Sequence, residues 1–327
     1  MVIDPAALFA LDGSPLIVYS IDHPSPIDRP IPAGMERRFQ GRWIAACTAN
    51  DVLAMGARPR GFALDLAVPG ATDVREVDEL CAGITDVLDE YGARFEGGNT
   101  DVNPHLGTVA MCWGTVGAAG VIRRRGARPG DYLAVTTELG LGWASYLLRK
   151  QGGWDRLDAD SQRRLADYNL MPLAPHQAIV DTAERAPGAI TSGMDLSDGL
   201  VEFLYTIIRT PGLGVRVEQH RIPEPPLLTA CAQALGVPAA ALAVEYGFDM
   251  PRAHGYTVAP HRWDEVASIF AGHGTPLFRI GEVTADPEVT WCGVDTAPRP
   301  LERLWDDKAR RGDAISDWTA MVDKNAW

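Results

Sequence analysis

Apolar positions along this chain recur at two spacings, and the switches between them lay out the elements. "SPLIVYSID" (14–22) is apolar almost throughout and predicts a buried strand ending at Asp22. The proline-rich "HPSPIDRPIPAG" that follows is a loop. From Glu36 to Met55, Phe39, Trp43, Cys47 and Val52 fall at helical spacing, and Gly56 and Pro59 close the run. "FALDLAV" (62–68) predicts a strand, and Val74, Val77, Cys81, Ile84, Leu88 and Tyr91 predict an amphipathic helix over 73–92. "EGGNTDVNP" (96–104) reads as a loop, followed by a strand through "GTVAMCWGTVG" (107–117).

After "RRRGARPGD" (123–131) the pattern restarts. "YLAVT", "GVRVEQ", "HGYTVAP" and "PLFRIGEV" predict strands; "LGWASYLLRK", "PLAPHQAIVDTAERA" and "HRWDEVASIFAGHG" predict helices. Leu200, Leu204, Ile207 and Ile208 form one stripe of a further helix opened by "DLSDG". The reading is an N-terminal domain over 1–126, a C-terminal domain over 127–300 and a polar tail over 301–327. Strands outnumber strand–helix alternations, so a doubly wound parallel sheet is not compelling.

Composition narrows the function classes. At 327 residues the chain is long enough for two cores. No run of about 18 apolar residues predicts a membrane span. "MVIDPAALFALDG" lacks a basic-then-apolar leader, so the expected location is cytoplasmic. With 43 acidic and 30 basic residues the net charge is -13, which argues against a nucleic-acid phosphate surface. Five scattered cysteines without a CxxC pair argue against zinc and against a disulfide framework.

Charge is also where candidate chemistry enters. Asp22 ends a strand, Asp51 lies near a helix end, Asn99 and Asp101 lie in a presumed loop, and Asp195 and Asp198 open a helix around Ser197. Magnesium takes hard oxygen ligands, few of them from protein and the rest from water and phosphates, so carboxylates from several loop ends suit it. The alternative is local: Ser197 or Asp198 caps the first turn of the helix after it. Spacing alone leaves both open. Asp65 reads as a strand residue at a sheet face or dimer contact, with a ligand role as the alternative, and the histidines show no metal-ligand spacing.

"NDVLAMGARP" (50–59), "GGNT" (97–100), "RRGARPGD" (124–131), "DLSDGL" (195–200) and "IGEV" (280–283) occur in this order. Together they resemble thiamine-monophosphate kinase, in the superfamily that includes aminoimidazole ribonucleotide synthetase, selenophosphate synthetase and a hydrogenase maturation protein. The resemblance implies a two-domain α+β fold, an N-terminal sheet that pairs in a homodimer, and a sandwich-like α/β C-terminal domain. It also implies ATP and Mg2+ in a cleft bounded by both domains. By the same resemblance Asp4, Asp22, Asp51, Asp195 and Asp198 are metal ligands, with Asp195 and Asp198 at the catalytic centre. Ser20, Ile21, Asn99, Arg124 and Ser197 would contact ATP.

The acceptor side departs from the family pattern. Phe248 stands where the kinase has a substrate-facing glutamate, only Asp249 of that segment remains, and Arg29 lies nearest the place of a substrate histidine. Asp4 is followed by Pro5 instead of a second aspartate. The expectation is a Mg-dependent ATP phosphotransferase acting on a small molecule other than thiamine monophosphate. Alternatives are a synthetase that phosphorylates a carbonyl or amide oxygen, or a non-catalytic, nucleotide-binding dimeric partner.

Overall fold

Of the 327 residues, the computed structural model describes residues 7–9, 15–24, 30–170, 173–244, 252–294, 296–302, 319 and 325. Among them no helix is long and apolar enough to cross a membrane.

Two sheets organise the chain. The first combines β1 (Ala7–Phe9), β2 (Leu16–Asp22), β3 (Arg58–Val68), β4 (Arg94–Val102) and β5 (Gly107–Val116) in the order β1-β2-β5-β3-β4. Only β3 and β4 run parallel. Helices α1 (Glu36–Ala54) and α2 (Val74–Tyr91) cover one face. Helix α2 starts where the Asp73 carboxylate accepts the Arg75 N–H, buries Leu80, Ile84, Val87, Leu88 and Tyr91, and ends at Gly92 in the left-handed region. Val18, Phe62, Leu64, Leu66, Ala110 and Cys112 point into this core. Their alternate neighbours face outward, as the period of two requires.

The stretch expected as a loop is strand β4. All nine of its residues are exposed and "EGGNTD" carries no apolar alternation, so no sequence pattern announces it. Its strand geometry comes from backbone pairing with β3 in register, Asp65 opposite Asn99.

The second sheet contains β6 (Tyr132–Val135), β7 (Ile190–Asp195), β8 (Gly214–Glu218), β9 (His254–Val258), β10 (Phe278–Thr284), β11 (Val289–Cys292) and β12 (Arg299–Pro300), in the order β12-β11-β8-β10-β6-β9-β7. One face packs on α3 (Leu141–Gln151), α6 (Leu200–Ile208), α7 (Pro226–Leu235) and α8 (Ala239–Val244), with α4 (Ala159–Leu170) outside them. The other face packs on α5 (His176–Arg185) and α9 (Trp263–Gly272). Strand β7 at the edge and helices α4, α7 and α8 were not anticipated; α4 buries little beyond Leu165 and has no long apolar stripe.

The halves share a core. Val180 and Ala183 of α5 pack into the first core, and the Tyr91 and His176 rings lie 4.7 Å apart. Arg42 donates to the Leu170 carbonyl at 3.2 Å, and the Asn169 amide donates to the Pro30 carbonyl at 2.7 Å. This junction, with the edge strand β7 against it, is where the candidate site forms.

Candidate functional site

Three carboxylates meet at the junction, each placed by the end of an element. Asp22 ends β2, and its Oδ1 accepts the His23 N–H at 2.7 Å. Ser20 lies two residues earlier, on the buried face of β2. Its hydroxyl donates to Asp51 Oδ2 at 2.7 Å, in the last turn of α1. Asp195 ends β7 with 5% of its surface exposed, and the Ser197 N–H approaches its Oδ2 at 3.4 Å. Across the sheet, Asp195 stands opposite His254 of β9. The His254 ring is fully buried, with Nε2 3.4 Å from the Asn50 carbonyl of α1.

The charges sense one another. The Asp51 carboxyl is held well above the ordinary carboxylate range, first by burial and then by the charge of Asp195. The Ser20 hydrogen bond and the Arg124 guanidinium pull it back down, while Asp22 pushes it further up. Asp22 is itself raised, mainly by burial, with Asp195 adding to it and the His23 hydrogen bond opposing. Burial drives the His254 imidazole down to about 4 despite the neighbouring Asp195 charge. Three partly desolvated carboxylates in mutual repulsion are an arrangement that a cation relieves.

Arg124 is placed by the linker between the sheets. The Gly193 N–H of β7 donates to the Arg123 carbonyl at 2.9 Å, so the linker runs along the edge strand. Gly126 has φ +141°, and a Cβ there would stand 2.1 Å from the Thr191 carbonyl oxygen. Only glycine lets the chain lie this close. At the linker's end Asp131 accepts the Arg128 N–H at 2.9 Å and the Thr191 hydroxyl at 2.6 Å, fixing the turn into β6.

The "DLSDG" turn opens α6 at a glycine. The N-cap of α6 is Gly199, at φ 92° and ψ 168°, which has no side chain to cap the helix. Ser197 and Asp198 are half-buried in the turn beside Asp195.

Among the described residues, no three His, Cys, Asp or Glu side chains form a group able to hold a metal ion by themselves. Magnesium in phosphate chemistry does not ask for such a cage; one or two carboxylates plus substrate oxygens and water complete it. The donors suit it: hard carboxylate oxygens, partly or fully buried, and crowded together.

Other expected residues stand elsewhere. Asn99 lies on the outer face of the first sheet, opposite the helices, and its amide donates to Asp65 Oδ1 at 3.0 Å. Ile21 points to the same outer face, 64% exposed. Within one chain neither side chain joins the carboxylates. Asp4, Arg29, Phe248 and Asp249 lie outside the described residues. His254, Asn50 and Tyr256 border the carboxylates although nothing in their sequence spacing marked them. The one available signal was an inward-facing histidine in an otherwise apolar strand.

Residues 3–122 match the family described as AIR synthase related protein, N-terminal domain, and residues 128–292 match its C-terminal domain. The thiamine-monophosphate kinase of Methanospirillum hungatei is 31% identical over 195 residues, 60% of this chain and 62% of that protein. Its counterpart in Halobacterium salinarum is 30% identical over 259 residues, 78% of this chain and 80% of that protein. Some of these relatives are thus matched over less than two thirds of their length. The solved structure of AaThiL complexed with AMPPCP and TMP superposes with a TM-score of 0.74 over 90% of each chain, at 20% identity. A likeness at that identity speaks for the fold.

Proposed function

The chain belongs to the AIR synthase related family, and from that premise we propose that it is a magnesium-dependent ATP enzyme that transfers the γ-phosphoryl group to a small molecule. The observation that carries the reading is the convergence of Asp22, Asp51 and Asp195 beside Arg124 at the junction of the two sheets. Phosphoryl transfer asks a protein mainly for positioning and charge neutralisation, and no nucleophilic triad is required. Bound Mg2+ would supply the charge that neutralises phosphate oxygens. Asp22, Asp51, Asp195 and Asp198 would hold it, and Arg124 would add a fixed positive charge toward the phosphates. Ser20 orients the Asp51 carboxylate by its hydrogen bond, and Ser197 lies within the same turn for a nucleotide contact. Asn99 and Ile21 face away, so they receive no role in this chain's own nucleotide site.

The relatives named thiamine-monophosphate kinase and the neighbour holding AMPPCP support the nucleotide half. The acceptor is proposed to differ from thiamine monophosphate. Phe248 takes the place of an acceptor-facing glutamate, and a phenyl ring accepts no hydrogen bond from a polar ligand. The test is ATP turnover with Mg2+, alone, with thiamine monophosphate and with a panel of small phosphates, amides and carboxylates. Acceptor-dependent ADP release without thiamine diphosphate formation supports the reading. Efficient thiamine diphosphate formation overturns the acceptor assignment. Thermal stabilisation by ATP without any turnover would make the chain a nucleotide-binding partner instead.

We further propose a homodimer through the outer face of the first sheet. That face exposes Ile21 (64%) and Val109 (40%), and the sheet ends in the exposed edge strand β4. An exposed edge with apolar neighbours is a surface that proteins cover.

A further inference from the structure

We propose that His254 is a positioning residue that holds Asp51 and Asp195 in register across the junction of the two sheets. The proposal rests on reading the carboxylates as a Mg–nucleotide site. The ring is gripped from the second sheet. The His254 N–H donates to the Thr136 hydroxyl at 3.0 Å, and its carbonyl accepts the Thr136 N–H at 3.1 Å. Its imidazole stacks on Tyr256, centroids 5.8 Å apart and planes within 10°. Tyr256 in turn covers Gly193, where a Cβ would stand 2.3 Å from the Tyr256 ring. The backbone bonds and the stack on Tyr256 therefore leave the ring little freedom.

What the fixed ring reaches belongs to the other sheet's helix layer. Nε2 lies 3.4 Å from the carbonyl of Asn50, the residue directly before Asp51. A carbonyl only accepts, so Nε2 carries the proton and donates. Through the β7–β9 backbone pairing, His254 is also the cross-strand partner of Asp195. One rigid side chain thus relates the position of Asp51 to that of Asp195, which come from elements 144 residues apart in sequence. The alternative is plain packing, and packing has no use for the donor. A phenylalanine would fill the space without burying polar atoms, whereas His254 buries an Nδ1 that has no hydrogen-bond partner.

The test uses three variants of the full chain. His254→Phe keeps the ring and its stack but removes the donor. His254→Asn keeps an amide too short to reach the Asn50 carbonyl. His254→Gln keeps a donor at nearly the original reach. The readouts are the melting temperature without ligand, the Mg2+ concentration giving half of the AMPPCP-induced thermal shift, and ATP turnover. Expected is a Mg2+ requirement raised about tenfold in His254→Phe and His254→Asn, with turnover falling by about the same factor, and recovery to within about threefold of wild type in His254→Gln. A wild-type Mg2+ requirement in either of the first two variants overturns the proposal. So does a His254→Gln protein as impaired as the other two, because the loss then follows the ring and not the donor. If His254→Phe does not fold, the contrast between His254→Asn and His254→Gln decides. A wild-type protein with no Mg-dependent shift on AMPPCP would sink the nucleotide reading itself, a result distinct from any variant's behaviour.

Discussion

Ser20 and Asp51 are joined by a 2.7 Å hydrogen bond from the hydroxyl to Oδ2, across 31 residues of sequence. The bond ties the inner face of β2 to the last turn of α1 and holds the Asp51 carboxylate down against burial and the charges of Asp195 and Asp22. Replacing Ser20 by alanine removes the donor and leaves a half-buried carboxylate short of a partner, at a cost of about 1 kcal/mol in stability. The Asp51 carboxyl then rises further. The acid limb of the rate profile should move to higher pH, with ATP turnover at neutral pH down by about tenfold. An unmoved acid limb would separate Asp51 from the rate-controlling ionisation.

Asp51→Asn should stabilise the ligand-free protein at pH 8 by a few degrees while abolishing ATP turnover. The sign follows from the raised carboxyl. In the native state Asp51 holds its proton to higher pH than in the unfolded chain, where it titrates near about 3.9. Wild type therefore carries the full penalty above the native pKa; the penalty shrinks as pH falls below that value and is gone below the unfolded pKa. The melting-temperature difference between variant and wild type should be positive at pH 8 and shrink toward pH 4. A difference that is negative, or that ignores pH, contradicts the repulsion inferred here.

Asp198→Asn separates chemistry from folding. Gly199, not Asp198, is the N-cap of α6, and asparagine keeps the size and hydrogen-bonding reach of the aspartate, so the melting temperature should stay within about two degrees of wild type. Turnover should fall by about a hundredfold, or about 2.7 kcal/mol of transition-state stabilisation. Unchanged turnover would remove Asp198 from the site.

Gly126→Ala should act on Arg124 from a distance. At φ +141°, with Thr191 O 2.1 Å from the new Cβ, the linker has to leave the edge of β7. The strain costs about 1–3 kcal/mol, and KM for ATP should rise as Arg124 moves. A variant with wild-type stability would show that the linker yields freely.

The homodimer is checked by light scattering of wild type and of Val109→Lys. Wild type should elute as a dimer at micromolar concentration. A lysine on the outer sheet face should shift it toward monomer with little change in the ligand-free melting temperature of each half. A monomeric wild type ends that proposal.

Much of this was legible along the chain. The apolar run of β2 stops at Asp22, the helical stripe of α1 runs out near Asp51, and the glycines of "RRRGARPGD" and "DLSDG" mark two sharp turns. These are local signals, because periodicity and turn chemistry report what a few neighbouring residues bury or bend. Strand β4 escaped them: its exposed "EGGNTD" is held by backbone pairing to β3, which leaves no mark on side-chain pattern. The face chosen by Asn99 escaped as well, since a period of two turns on one residue of register. His254 read as an ordinary strand residue until β9 lay beside β7 and its ring reached α1. The sequence by itself determined which carboxylates end which elements. That Asp195 raises the cost of ionising Asp22 and Asp51 was decided only by the tertiary structure, because desolvation and repulsion depend on distance through space, and the packing of the two sheets sets that distance.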